Sequence, residues 1–480
     1  MKRTGWVAGC TLGALAVVGC GEIDPVGAPE LDTGSADFTR LVAVGNSLTA
    51  GVQGLGLVES HQRRAYAAQI ARQLGKPVYT SLGQIPDEDG DMVPDPAPEA
   101  FVIPGWGAPG SPGTLQLVRL SPPTIEPLPP QEAGAPVNLQ YPGIYNNLGI
   151  SGAGLNEIIH ETGGPPASPF TLVLRGQGTA LQIALALQPT FVLLWAGSND
   201  ALGAVTAAQP SRLTPLADFE RDFRIIMNAF LGDPGSPERN TPTGSEPRPG
   251  MVCANIPDVT SIPFVTTVPP IVDGPGGLRL PLLGPDGFLT EDDFVTLLAQ
   301  ALIEEGYGFP EDADLNGDMI PDGKGALPDS VVLSREEANA IQERIEDFNA
   351  VIAEVAAEHG IAVVDVNRIL RTVARDGIPV GGIHYDPRYI LGGLFSLDGV
   401  HLTDVGQALL ANEFITTINA AYGAAIPPVN LASVMGLSFG VGGVGVPETW
   451  FGPLGTLELD LGEGLKRLLR AHSSRAGTPG

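Results

Sequence analysis

The chain has 480 residues, enough to bury a sizeable core in one large domain or in two to three smaller ones. Hydrophobic residues make up 43% and charged residues 17%, and 63 glycines with 45 prolines point to long structured loops. A formal net charge of −28 argues against nucleic acid as a partner, because a phosphate backbone is bound by clustered Lys and Arg.

Met1, Lys2 and Arg3 form a short basic segment, followed by an apolar run over 6–18 and by Val17, Val18 and Gly19 ahead of Cys20. This is the layout of an export signal, too short for a spanning helix. It resembles a bacterial lipoprotein signal, with Val17 standing where Leu is commoner. The resemblance implies that Cys20 becomes the lipidated first residue of an exported, membrane-anchored protein, in the outer membrane if the cell has one. The alternative is an ordinary secretory signal with an incidental cysteine. Residues 21–37, rich in Pro, Gly and acidic side chains, read as a flexible tether. Once Cys10 leaves with the signal and Cys20 carries lipid, Cys253 is left without a disulfide partner. It lies in an apolar stretch and reads as an inert core thiol.

The main domain is read over 38–423, with apolar runs alternating with amphipathic stretches. A strand is expected over 41–44, then a helix over 62–74 with Tyr66, Ile70 and Leu74 on one face. A helix over 179–187 stops before Pro189 and feeds a strand over 190–195. Phe219, Phe223, Ile226 and Phe230 mark another helix, followed by a strand over 251–256. Ser334 and Glu337 form a capping box for a long helix whose buried face runs Ile341, Ile345, Phe348, Ile352 and Val355, with Gly360 placed to end it. A strand over 361–366 and a helix over 404–422 complete the domain. Short apolar strands separated by helices imply a mostly parallel sheet covered on both faces.

Two insertions, about 84–140 and 232–330, interrupt this pattern, and within the second a helix is expected over 290–305. Loops this long are usually functional or disordered. Lying beyond strand ends they could form a lid, or they could pad the periphery. Residues 424–480 form a Gly-rich extension with a short helix expected over 465–470.

Four short blocks carry chemistry. Gly45, Asn46, Ser47 and Leu48 follow a strand and would hold a serine exposed on a turn, as a nucleophile requires. The second block, 147–154, reads as a loop whose Gly152 lets backbone N–H groups approach a ligand closely. In the third, Gly197, Ser198, Asn199 and Asp200, the Asn199 amide can point at a developing oxyanion. In the fourth, Asp398 and His401 stand three apart on one loop, where the carboxylate can fix the imidazole tautomer and stabilise the imidazolium.

Together and in this order, the blocks resemble the SGNH hydrolases, the GDSL-type lipases and esterases. The resemblance implies a flavodoxin-like three-layer α/β fold and a serine ester hydrolase. By motif, Ser47 is then the nucleophile, His401 the base and Asp398 its orienter. The N–H groups of Ser47 and Gly152 with the Asn199 amide form the oxyanion hole. One departure is Asn46, where the family usually has Asp. Catalysis of this kind needs no cofactor, and substrates range over esters of lipids, small molecules and glycans, with acyl transfer as a variant.

A second pattern is independent of the first. Asp87, Asp89, Asp91 and Asp95 in one insertion are matched by Asp314, Asn316, Asp318 and Asp322 in the other. Each set spaces oxygen ligands at alternate positions around a glycine, as a structural Ca²⁺ would require. The spacing is similar to thrombospondin type 3 repeats and departs from an EF-hand. Two acidic solvent-facing turns are the alternative. A calcium-ordered surface binding protein on a catalytically idle scaffold is therefore the second functional reading.

Overall fold

Five short, almost wholly apolar runs build one sheet: β1 (Leu41–Gly45), β2 (Asn147–Gly149), β3 (Phe191–Trp195), β4 (Gly250–Ala254) and β5 (Ala362–Val364). The computed structural model describes residues 31–76, 78, 101–106, 115–120, 123–127, 136–166, 168–236, 238–241, 244–273, 278–315, 319–380 and 382–434. Cys20, the acidic set Asp87, Asp89, Asp91 and Asp95, the pair Asn316 and Asp318, and the tail beyond 434 lie outside the described residues.

The strand order is β5-β4-β3-β1-β2 and every neighbouring pair is parallel. Leu41 pairs with Phe191 and Gly45 with Trp195, so β1 and β3 end level with one another. This is the doubly wound order in which the chain leaves β1 outward to β2, then crosses to β3 on the other side. The crevice beyond the carboxyl ends of β1 and β3 is the switch point, where open α/β sheets bind ligands. Leu41 to Val44 and Phe191 to Trp195 are all buried, as expected of strands covered on both faces.

One face is covered by α1 (Tyr66–Gln73) and α5 (Asp404–Tyr422), which pack on each other. There the Tyr66 ring stacks on Phe414 at 4.6 Å and meets Trp195 edge-on at 5.5 Å. Against one another on the other side lie α2 (Leu155–His160), α3 (Leu216–Leu231) and α4 (Arg335–His359). Ser334 caps α4 by accepting the Glu337 N–H, and Glu337 returns a carboxylate to the Ser334 N–H at 2.9 Å. Its face Ile341, Ile345, Phe348, Ile352 and Val355 is fully buried, and Gly360 ends it in the left-handed conformation. Cys253 is buried in β4 and its thiol is pushed up to about 12 by burial, as suits an inert core cysteine.

Several expectations need correction. The helix expected over 62–74 begins only at Tyr66: Ala65 is extended, and the Tyr66 N–H is taken by the Gln407 side chain. Residues 147–149 are an edge strand paired with Ala43 to Gly45, and only 150–154 form the loop. The strand expected over 361–366 stops at Val364, because Asp365 caps a further helix, Val366–Asp376. Within 290–305 only Ala299–Glu304 is helical; Phe294–Val295 pair antiparallel with Val332–Leu333. Residues 32–36 of the expected tether pack on the domain, with Ser35 N–H donating to Tyr422 and Asp32 accepting from Ala425.

The second insertion expected over about 232–330 is broken by β4 at Gly250–Ala254, which belongs to the central sheet; the other described parts of the two insertions include small antiparallel pairs. The first contains the hairpin Leu115–Leu120 and Pro123–Pro127. The second has its own satellite core of Leu282, Leu289, Val295, Ala299, Leu327, Val331 and Val332. Phe348 is fully buried and stacks on Phe219 with ring centroids 3.9 Å apart. Phe348→Ala should therefore cost about 3–5 kcal/mol, read as a lowered denaturation midpoint.

Candidate active site

The first turn after β1 is a four-residue helix, Ser47–Ala50, that sits against the sheet because Gly45 has no side chain. A Cβ there would lie 2.2 Å from Thr49 Oγ1 and 2.3 Å from the Trp195 carbonyl oxygen. Asn46 caps the turn by accepting the Leu48 N–H at 3.0 Å, while Asn147 and Gln407 donate to the Thr49 and Leu48 carbonyls. Ser47 is thus fixed at the carboxyl end of the sheet. Asn46 carries the cap that its residue type allows, but its amide nitrogen is buried without a partner.

His401 arrives from the loop between Gly393 and α5. Its Nδ1 lies 2.7 Å from Asp398 Oδ2, and with that N–H donated to the carboxylate the ring's Nε2 carries the lone pair. Asp398 also accepts from the backbone N–H groups of Val400 and His401 at 2.9 and 2.8 Å, and from Ser396 Oγ at 3.0 Å. A fifth donor, the Leu55 N–H at 2.8 Å, comes from the other end of the chain. Burial by itself would raise the Asp398 carboxyl. The charge of His401, then the hydrogen bonds from His401 and Val400, outweigh it and hold the group well below the usual carboxylate range. Gly399 stands between them at φ +69°, and a Cβ there would lie 2.9 Å from the Phe264 backbone nitrogen.

Ser47, His401, Asn199 and Asn46 line one cavity of about 30 Å³, closed by apolar side chains that include Leu202, Ile262 and Val400. That is room for about one water. Ser198, which also lines it, has a buried hydroxyl without a partner. Among the described residues no hydrogen bond joins Ser47 Oγ to His401; catalytic hydrogen bonds are often long before substrate arrives.

The Asn199 side of the cavity is formed by the helix Asn199–Thr206, which is joined to the start of α2. Asn199 Nδ2 donates one N–H to the Ala153 carbonyl at 2.8 Å, which fixes the amide and leaves its second N–H. Gly152, at φ +85° in the adjoining turn, is exposed and lies outside the residues lining the cavity. Asp200 ties the two elements together, accepting from the Leu155 N–H at 3.1 Å and Thr214 Oγ1 at 2.9 Å.

Sequence reasoning named Asp398 and His401 but missed what secures them. Ser396 and the turn at Gly54 and Leu55 hold the carboxylate, with the Gly54 N–H donating to Ser396 Oγ. Asp404, at the start of α5, accepts from Gln53, His61 and Arg64 and so joins the same two chain segments. Only the acidic residue at a helix start signalled this in the sequence. For calcium, the described members Asp314 and Asp322 accept the Met319 and Leu315 N–H groups of their own loop. Among the described residues there is no group of three or more acidic, His or Cys side chains arranged to hold a metal.

Burial holds the Asp200 carboxyl up at about 6, the hydrogen bonds from Thr214 and Leu155 opposing it. An unfolded Asp titrates near 3.9, so the folded chain binds the extra proton between about 4 and 6. Stability is therefore lost as pH rises through that window, and the loss is complete above it. Asp200→Asn should gain stability relative to the parent by on the order of 2 kcal/mol more at pH 7.5 than at pH 4.5. Denaturant unfolding at the two pH values measures this, and an equal difference at both would contradict it.

No family model matches the chain, and no curated protein matches it. Among solved structures it is similar to LAE5, an α/β hydrolase from the metagenome of Lake Arreo, with 14% identity and a TM-score of 0.33 over 80% of this chain and 97% of that one. It is likewise similar to a lipase/acylhydrolase from Enterococcus faecalis, with 12% identity and a TM-score of 0.31 over 81% and 98% of the two chains. A third is a variant of Axe2, an acetyl xylan esterase from Geobacillus stearothermophilus, with 12% identity and a TM-score of 0.32 over 80% and 96%.

Proposed function

We propose that the chain is a serine ester hydrolase with Ser47 as nucleophile and His401 as base. The observation that supports this best is the convergence at the sheet's switch point: Ser47, Asn199 and His401 share one cavity, and His401 is bonded through Nδ1 to a buried, ionised Asp398. His401 Nε2 takes the Ser47 proton as Oγ attacks the ester carbonyl, and the imidazolium so formed is stabilised by Asp398. The Ser47 and Gly152 N–H groups and the remaining Asn199 N–H are the donors for the tetrahedral oxyanion. His401 then protonates the leaving alcohol, and water attacks the acyl-serine with His401 again as base. Nothing in this cycle calls for a cofactor. The reading extends to esters of lipids, small molecules or glycans, and separates from an idle binding scaffold by whether the serine is activated.

The lipoprotein-like start extends the proposal to an exported enzyme tethered to a membrane through Cys20. Among the described residues no helix is long and apolar enough to cross a membrane.

Two experiments test these proposals. The parent should hydrolyse p-nitrophenyl acetate and be labelled by a fluorophosphonate. Ser47→Ala should abolish both, and Asp398→Asn should lower kcat by about 10³–10⁴-fold. Undiminished turnover in the Ser47 variant would sink the assignment. For the anchor, metabolic labelling with palmitate should mark the parent, and Cys20→Ser should lose the label and leave the membrane fraction; a retained label would count against it.

A further inference from the structure

Beside the small cavity at Ser47 runs a larger groove of about 620 Å³, within the range of about 300–1,000 Å³ common for small-molecule sites. Its apolar lining comes from four separate parts of the chain. Leu55 follows the Ser47 turn, Leu115 and Ile125 belong to the first insertion's hairpin, Leu297 and Leu298 to the second insertion, and Val400 to the His401 loop. Val400 lines both the groove and the Ser47 cavity, so the two share a wall. Leu55 is 58% exposed and Leu298 59%, two large aliphatic side chains left in water at one concavity next to the reacting centre.

Leu55 is held there against its backbone preference. Gln53 and Gly56 exchange both backbone hydrogen bonds, at 3.0 and 2.9 Å, around Gly54 at φ +53° and Leu55 at φ +61°. Such two-residue turns favour Asn-Gly, and a leucine in the left-handed region is strained. The turn's backbone has structural tasks: Leu55 N–H holds Asp398, and the Gly54 carbonyl accepts the Leu115 N–H at 2.8 Å. Glycine or asparagine would perform these at lower cost. What leucine alone adds is an aliphatic side chain in the groove. The charged residues lining the groove, Asp398 and Glu304, are both acidic, which selects a neutral occupant over an anion.

We propose that this groove holds an unbranched aliphatic chain of the ester substrate, with Leu55 and Leu298 as specificity-determining residues. The proposal rests on the ester-hydrolase reading and names the substrate class for that site. A buried methylene is worth up to about fourfold in binding, so chain length should be read strongly in kcat/KM.

The test compares the parent with Leu55→Gly and Leu298→Ser on two series. In one, the acyl chain of p-nitrophenyl esters lengthens from two to eight carbons; in the other, the alcohol of acetate esters does so. We expect kcat/KM to rise about tenfold or more with length in one series, which identifies the side of the ester in the groove. In that series the eight-to-two-carbon ratio should fall fivefold or more in at least one variant. Ratios changed less than fivefold in both variants and both series would overturn the groove assignment while leaving the hydrolase reading intact. Should the parent hydrolyse no ester at all, the hydrolase reading fails, and displacement of Nile red by decan-1-ol reads the groove directly. An apparent Kd weakened fivefold or more in at least one variant then keeps it as an aliphatic-chain site, and smaller changes in both remove it.

Discussion

The buried carboxylate of Asp398 is the interaction on which the site depends. An ion out of water is costly unless its lone pairs are filled, and removing one partner of such a group typically costs about 3–5 kcal/mol. Here the carboxylate accepts from Ser396, Val400, both the N–H and the ring of His401, and Leu55. The last donor matters most for architecture, because it lies 343 positions away in the sequence. The Ser47 turn runs directly into the Leu55 turn, so a fully bonded Asp398 can form only when the first and last parts of the domain are in register. Asp404 repeats the constraint nearby, drawing Gln53, His61 and Arg64 onto the start of α5.

The insertions attach to the same pieces. Leu115 of the first donates its N–H to the Gly54 carbonyl, and Phe264 of the second donates to the Gly399 carbonyl at 3.0 Å. The close approach of Phe264 and Leu297 to Gly399 leaves no room for a side chain beside Asp398. Each insertion is thus bonded to one of the two turns that secure the carboxylate. Ile262 of the second insertion also lines the cavity at Ser47.

Much of this was legible in the sequence where the information is local. The face Ile341 to Val355 of α4, the Ser334 cap and the Gly360 stop follow from helical period and end chemistry, and Asp398 and His401 follow from their spacing on one loop. Residues 290–305 misled because Phe294, Leu297 and Leu298 fit a helical face, whereas Phe294 and Val295 find their partners at Val332 and Leu333, nearly forty positions on. Residues 147–149 misled because asparagine and glycine signal turns, while here the Asn147 amide bonds the Thr49 and Phe101 carbonyls at a sheet edge. Nothing in residue type marks Leu55 or Gln53 as partners of acidic groups more than 340 positions away. Their roles exist only once the fold brings the two ends together.

Charge gives the proposed cycle a direction. An ester is neutral and meets no barrier from a chain of net charge −28, whereas each hydrolytic turnover leaves a carboxylate product. Long-range repulsion from surface charge is screened within about 8–10 Å at physiological salt, so the nearest groups decide. Charged groups at the cavity and groove are Asp398, kept ionised by its five donors, and Glu304, with Asp200 next to Asn199 and ionised above about 6. A product anion beside these groups is disfavoured relative to the neutral substrate it replaced, and neither lining includes a Lys or Arg. In the proposed cycle, the acidic groups beside the cavity thus favour product release at neutral pH.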